Sequence, residues 1–297
     1  MTDELSQYIS HHLQFQQDEV LESFISQIKN TFKNTIVGIV FYGSCMRSRE
    51  YKDAMLDFYV VVDDYSHAYT NYWYRYANYL LSPNVFFIKT NVNGQSYQAK
   101  YAVMSKNGLH AGVSRAFHSY FWARFTQPMS CIYARDNDFK QWFLSIQCAA
   151  ARSFCLAVLP SIKNEITSET FWVQGLQLTY AAELRAETKT RATHIYQSDH
   201  EFYDGVFLGL HIENYTDQES PLINKIKWKI RITYGKVLSV LRLMKATTTF
   251  VGGVDYIAWK IERHTGEQVV VSRNMRKYPW IFCWPVIMRL LRQGKIR

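Results

Sequence analysis

Glycine and proline are scarce in this sequence, 13 and 6 of 297 residues, and neither gathers into a linker, which excludes collagen-like and proline-rich disordered classes. No low-complexity tract or internal repeat is visible, so solenoids and propellers are excluded as well. The 5 cysteines (Cys45, Cys131, Cys148, Cys155 and Cys283) are odd in number and lack Cys-x-x-Cys spacing, so neither a disulfide framework nor a zinc site is expected, and a reducing compartment fits. The histidines, His11-His12 among them, lack metal-ligand spacing and read as structural or surface residues. Residues 1–20 hold no Lys or Arg, the wrong composition for a secretory signal or an Arg-rich transit peptide, so a cytoplasmic bacterial protein is expected. No apolar run reaches the roughly 18 to 20 residues of a spanning helix, and membrane insertion is not expected. Acids are missing from 273–297, where Arg273, Arg276, Lys277, Arg289, Arg292, Lys295 and Arg297 stand unopposed.

What is present is apolar and aromatic: 48% of the chain is hydrophobic, with 21 Tyr, 18 Phe and 8 Trp. Such a chain buries a sizeable core, and at roughly 100 to 200 residues per domain it holds two domains. The net charge of +9 calls for an anionic partner, whether nucleotide, lipid headgroup or nucleic acid, without choosing among them. Over 18–32 the apolar positions Val20, Leu21, Phe24, Ile25, Ile28 and Phe32 recur at steps of three and four, which predicts an amphipathic helix. The β-branched runs at 36–42 and 56–62 read as central strands buried on both faces. Segments 85–90 and 98–105 flank the turn signal at 91–94 and read as a strand pair. Beyond Ser105 the period becomes helical, over 114–125, 139–159, 169–187 and 223–245, with a polar connection across 190–222 and a tail over 250–297. The expected units are a sheet domain over 1–138, a helical domain over 139–250 and a basic aromatic tail over 251–297.

The stretch that carries chemistry is FYGSCMRSREYKDAMLDFYVVVDD, residues 41–64. A buried strand ends in a Gly-Ser turn that opens a short helix, and an acid then stands at the start of the second buried strand. Gly43 lets the backbone approach a phosphate, and Ser44 with the amides after it can donate to triphosphate oxygens. Asp57 is an ionisable group in a strand buried on both faces, where a cation or donor must accompany it. A Mg²⁺ ion shared with triphosphate oxygens is the natural companion, because hard cations take carboxylate and phosphate oxygens.

This layout resembles the polymerase-β-like nucleotidyltransferases, whose Gly-Ser pair is followed by Asp-x-Asp or Asp-x-Glu at a strand. Here Tyr59 takes the place of the second acid, which puts a standard two-metal site in doubt. The departure is shared with one subfamily, the mitochondrial-type phosphatidate cytidylyltransferases, or mitochondrial translocator assembly and maintenance proteins. Tyr42-Gly43-Ser44, Ala54-Met55-Leu56-Asp57-Phe58 and Val62-Asp63-Asp64 are similar to that family's motif. So are Lys100-Tyr101-Ala102-Val103-Met104-Ser105, Arg124 with Gln127-Pro128, Gly175-Leu176, Thr179-Tyr180, Glu183, Arg185 and Tyr234-Gly235, in the family's order over 40–240. Cys45 stands where the family has a second Gly, and Glu183 where it has Asp.

The resemblance implies an α+β chain: a polymerase-β-like nucleotidyltransferase domain, with a mixed sheet and helices, followed by a mostly helical domain. It implies the reaction of CTP with phosphatidate to give CDP-diacylglycerol and diphosphate. By the same likeness Asp57 holds Mg²⁺, Tyr42, Gly43 and Ser44 meet the nucleotide, Lys100 clamps phosphate oxygens and Arg185 is a second clamp or a phosphatidate contact. Glu183, Asp63 and Asp64 are helpers. Each has a plainer alternative: Lys100 as an exposed strand residue, Arg185 and Glu183 as a solvated ion pair, Asp63-Asp64 as a strand-ending turn. The tail, with Trp280, Phe282 and Trp284 bracketed by Lys and Arg, fits an interfacial anchor on an anionic membrane, so peripheral attachment to the inner face of a bacterial cell membrane is expected rather than the mitochondrial matrix. A docked terminal helix is the alternative for it. Another acceptor, or an inactive membrane scaffold, are the competing functions. No RNA-binding motif appears, so nucleic acid is not expected, and Ser44 lacks the Gly-x-Ser-x-Gly elbow of a serine hydrolase.

Overall fold

A computed structural model describes residues 4–13, 16–52, 54–162, 165–184, 189–215, 220–249, 270–277, 285, 288, 289 and 292. In chain order the first half contains α1 (Glu4–His12), α2 (Glu19–Phe32), β1 (Ile36–Tyr42), α3 (Ser44–Ser48), β2 (Met55–Val62), α4 (Tyr65–Ala68), α5 (Tyr72–Leu80), β3 (Asn84–Val92), β4 (Gln95–Ser105), α6 (Lys106–Ser114), α7 (Trp122–Phe125) and β5 (Met129–Ala134). The second half is helical: α8 (Asn137–Val158), α9 (Ser168–Ala181), α10 (Lys189–Ser198), α11 (His200–Leu210), α12 (Pro221–Thr249) and α13 (Arg273–Lys277). The fold class is α+β, with a 5-stranded mixed sheet in the order β3-β4-β2-β1-β5. Only β2 and β4 pair in parallel; the other neighbours are antiparallel.

The continuous apolar character of β1 and β2 has a direct cause. Alternate side chains enter two cores, so neither face tolerates polarity. Ile39, Phe41, Phe58, Val60 and Val62 meet α2, whose buried stripe is Val20, Leu21, Phe24, Ile25, Ile28 and Phe32. Asp18 caps that helix, its Oδ1 accepting from Leu21 N at 2.9 Å. The opposite face, with Val40, Tyr59, Val61, Ala102 and Met104, shares one core with α8, α9 and α11. β3 and β4 form the expected hairpin. Val92 pairs with Gln95, so Asn93-Gly94 is a two-residue loop, and both its residues have positive φ, as a type I′ turn requires.

Four expectations are corrected. The helix expected over 114–125 is broken: α6 starts at Lys106, with Ser105 Oγ accepting from Gly108 N, and the chain unwinds before α7. There the carbonyls of Ala116 and Phe117 accept from Trp122 Nε1 and Arg231 Nε, partners that a continued helix would have displaced. The connection expected across 190–222 contains α10 and α11, and the polar Ser198-Asp199-His200 is their junction. The helix expected to reach 187 ends at Ala181. Finally, α8 with the turn after it, Asn137–Ser161, is long and apolar enough to cross a membrane, with a mean hydropathy of 1.5, although 61% of that window is buried in the fold.

Four elements, α1, α4, α5 and β5, were not expected from the sequence. α1 lies close along α11 because Gly209 offers no Cβ: one placed there would sit 2.8 Å from Leu5 Cα. Of the tail, Trp280, Phe282 and Trp284 lie outside the described residues.

Where α8 begins, Phe139 fills the space over Gly38 of β1, and a Cβ at Gly38 would lie 2.0 Å from its ring. Gly38→Ala is expected to cost about 1 to 3 kcal/mol of unfolding free energy, the usual cost of overpacking, read from denaturant midpoints. Adding Phe139→Leu should return part of that loss, and no recovery would show that the clash is not the cause.

Candidate active site

Three strands bring three of the expected residues into one row. Tyr42 on β1 pairs with Asp57 on β2, and Asp57 pairs with Lys100 on β4. Because Cβ atoms at paired positions share a face, all three point toward the helical layer. Lys100 Nζ lies 3.0 Å from Asp57 Oδ1, with side chains 29% and 21% exposed. That oxygen is buried and, among the described residues, accepts no aligned hydrogen bond, so the lysine opposes its charge without satisfying it.

Gly43 follows Tyr42 with φ at 90°, and a Cβ there would approach Asp57 Oδ2 to 3.1 Å. Both the backbone and the carboxylate therefore require glycine at this position. α3 begins at the exposed Ser44. Cys45, where the resembled family has glycine, is buried and donates from Sγ to Met55 O at 3.4 Å, tying the turn to the start of β2. Burial first, and the charge of Asp57 second, push its thiol pKa up. On the same helix Arg47 Nε reaches Asp199 at 3.2 Å, fastening α3 to the α10–α11 junction.

The position of the missing second acid has a positive occupant. Tyr59 is fully buried, its ring stacked 4.7 Å from that of Tyr42 and tilted against Phe125 at 4.8 Å. Burial holds its phenol, like that of Tyr42, well above the ordinary range, so both stay neutral. No group of three or more His, Cys, Asp or Glu side chains able to hold a metal occurs among the described residues. A two-metal site of paired carboxylates does not fit this donor set. A single divalent cation sharing Asp57 with the phosphate oxygens of a nucleotide does.

Behind the tyrosine stack lies a second charged pair. Arg124, at the end of α7, donates from Nη2 to Glu183 Oε2 at 2.9 Å and packs 4.6 Å from the Tyr120 ring. Burial works against its charge, but Glu183, Tyr120, Tyr59 and Tyr42 outweigh it and keep the guanidinium protonated. Its Nε is buried with no hydrogen-bond partner among the described residues. Tyr42 lies within electrostatic reach of Asp57 on one side and of Arg124 on the other, so the two pairs belong to one connected region.

Of the remaining candidates, Arg185 lies outside the described residues. Asp63 pairs with Arg135 at 2.6 Å, and Asp64 caps α4 by accepting from Ser66 N at 2.7 Å. Both lie six or more residues beyond Asp57, about 20 Å along an extended strand, and take no part in the site. Arg242, which the sequence reading did not single out, stands on the buried face of α12 with its guanidinium 4.0 Å from Tyr120. Its helical spacing from Trp228 and Gly235 was the available signal.

No protein-family model and no curated protein matches the chain. Among solved structures it is similar to a nucleotidyltransferase-like protein from Exiguobacterium sibiricum, at 8% identity and a TM-score of 0.29, over 93% of this chain and 92% of that one.

The Arg124–Glu183 pair is largely buried, so breaking it from one side leaves an uncompensated charge. Arg124→Met should cost on the order of 3 kcal/mol in chemical denaturation, and the double change with Glu183→Gln should cost clearly less. Additive losses would mean that the two groups do not interact.

Proposed function

We propose that the chain is a nucleotidyltransferase that converts CTP and phosphatidate to CDP-diacylglycerol and diphosphate. The observation that carries this reading is the row Tyr42, Asp57 and Lys100 closed by Gly43, with a buried carboxylate oxygen left unsatisfied. The motif resemblance supplies the substrates, and two of its later pieces, Glu183 and Gly235, line one cleft.

On this reading an ionised phosphatidate oxygen attacks the α-phosphorus of CTP. A new P–O bond forms as the bond to the bridging oxygen breaks, and diphosphate leaves with the electron pair. The nucleophile is already deprotonated, so no general base is needed, and catalysis rests on positioning and charge. Gly43 and Ser44 receive the triphosphate, Tyr42 walls the nucleotide side and Lys100 clamps phosphate oxygens. Arg185 is a second clamp by resemblance. Asp57 would hold Mg²⁺, which would supply charge neutralisation on the departing diphosphate.

A lipid acceptor is supported by α12. Leu222, Ile223, Ile226, Ile230, Tyr234, Val237 and Leu241 are 41% to 66% exposed and fall within one 120° stripe at 100° per residue. Lys225, Lys229 and Lys236 border one edge and Lys227 the other, the arrangement expected of a helix lying on an anionic bilayer. This stripe supports the reading of peripheral attachment to the inner face of a bacterial cell membrane.

Purified protein given CTP, phosphatidate vesicles and Mg²⁺ should form CDP-diacylglycerol and diphosphate, and Asp57→Ala should lower the rate by about a hundredfold or more. Product unchanged in the variant would remove Asp57 from the chemistry. No product with any nucleotide would favour the scaffold reading. Separately, Ile226→Glu with Ile230→Glu should weaken sedimentation with anionic vesicles by roughly tenfold or more, since burying one such side chain is worth about 1.5 kcal/mol or more. Equal sedimentation would clear α12 of membrane contact.

A further inference from the structure

We infer that the exposed face of α5 is a second membrane-contact surface, one that sets its aromatic rings in the headgroup layer of an anionic bilayer and abuts the stripe on α12. This deepens the lipid reading of α12, but it stands on the residues of α5 and needs no turnover.

α5 is fixed to the sheet by one side. Asn71 caps it, its Oδ1 accepting from Trp73 N at 2.8 Å. On the inner side Ala77 and Asn78 are buried, and Asn78 Nδ2 donates to Val103 O of β4 at 3.0 Å while its Oδ1 accepts from Asn84 N at 2.8 Å. The outer side is left to solvent. Tyr72, Trp73, Tyr76, Tyr79 and Leu80 are 51% to 89% exposed and fall within a stripe of roughly 120° at 100° per residue. Five large apolar side chains in water on a helix of 9 residues form a contiguous patch of the kind that serves as a contact surface.

The chemistry of the stripe selects the partner. Four of its members are Tyr or Trp, rings with an apolar body and a polar tip that suit the boundary between acyl chains and water. Neither α5 nor α12 contains an Asp or Glu, while Arg75 flanks the α5 stripe as Lys225, Lys229 and Lys236 flank that of α12. Two helices that expose apolar side chains and carry charge of one sign complement an anionic lipid surface. A second copy of the chain meeting the same surface would bring like charges together. Asp64 touches the stripe at its edge, where its two oxygens accept from Tyr79 Oη at 2.8 and 2.9 Å.

The two helices are tied together at one end. Lys245 donates from Nζ to Pro83 O at 2.8 Å, to Ala77 O at 3.4 Å and to Leu81 O, and Arg242 Nε donates to Ser82 O at 2.8 Å, all around the carboxyl end of α5. Around the axis of α12, Lys245 stands about 20° from Tyr234, at the margin of the exposed stripe. Leu80, 89% exposed at that end of α5, carries the apolar surface of one helix toward the other.

Sedimentation of the full chain with vesicles of phosphatidylglycerol and phosphatidylcholine tests the surface. Trp73→Ala with Tyr76→Ala and Leu80→Ala is expected to weaken binding by about tenfold or more, because interfacial affinity scales with the apolar area buried. These side chains are exposed and alanine keeps the helix, so the thermal midpoint should hardly move. Trp73→Tyr with Tyr76→Phe, which preserves the aromatic face, should bind like wild type, and vesicles of phosphatidylcholine alone should bind wild type more weakly. Undiminished sedimentation of the alanine variant, no wild-type binding, or equal binding to the neutral vesicles would each overturn the inference. So would a concentration-dependent dimer in analytical ultracentrifugation that the alanine variant abolishes. Loss in the α5 variant with none in Ile226→Glu, Ile230→Glu would support α5 while removing α12 from the contact. Vesicle binding of the expected pattern without any cytidylyl product would support the surface and fell the proposed reaction alone.

Discussion

The parallel pairing of β2 with β4, flanked by the antiparallel pairing of β2 with β1, fixes where every charge in the candidate site can lie. A strand presents alternate side chains to opposite faces, and a slip of one residue would send Asp57 into the α2 core. The register is held by what surrounds it. Phe41, Phe58 and Tyr101 on one face, and Val40, Tyr59 and Ala102 on the other, each fill a packed layer that a slipped strand would empty. Asp57 is thus held beside Lys100 by apolar packing, and the ion pair is a product of the register rather than its cause. Exchanging two partly buried charges for apolar side chains is often neutral or stabilising, so stability alone does not explain this pair.

The tyrosine stack extends that constraint into the helical layer. With Tyr59 where a second carboxylate would stand, the face beside Asp57 is aromatic, and it packs on Phe125 rather than opening to water. α7, which carries Phe125, also carries Arg124, so the packing of one residue positions the charge of its neighbour. Glu183 arrives from beyond α9 to meet that charge, and Arg242 from α12 stacks on the Tyr120 ring that Arg124 also contacts. Three separated segments, α7, α9 and α12, converge because each buries large apolar side chains nearby: Trp122 and Phe125, Trp172, and Trp228.

The legible parts of this architecture were those whose signals are local. β1 and β2 were readable because burial on both faces leaves an unbroken apolar run, and Asp57 stood out against that run. Gly43 and Ser44 were readable from their place at a strand end. β5 was not, since Met129 to Ala134 mixes Ser130 and Cys131 with apolar residues and borrows its order from β1. α11 was hidden by the polar Ser198-Asp199-His200 beside it, although Phe202, Tyr203, Val206 and Leu210 keep helical spacing. Arg242 was unreadable for a different reason. A single arginine on an amphipathic helix looks solvated until tertiary docking places it against Tyr120 and Ser82.

The distribution of charge differs between the two ends of this region. At the Asp57 end one carboxylate meets one ammonium, a pairing near neutrality, so a triphosphate arriving there must bring a cation with it or face the carboxylate. At the other end Arg124 pairs with Glu183, while Arg242 is held by Ser82 O and the Tyr120 ring. The neutral Tyr42–Tyr59 stack lies within electrostatic reach of both ends. In a region with a lower effective dielectric than water, the two charged pairs act on each other across it more strongly than they would in solvent.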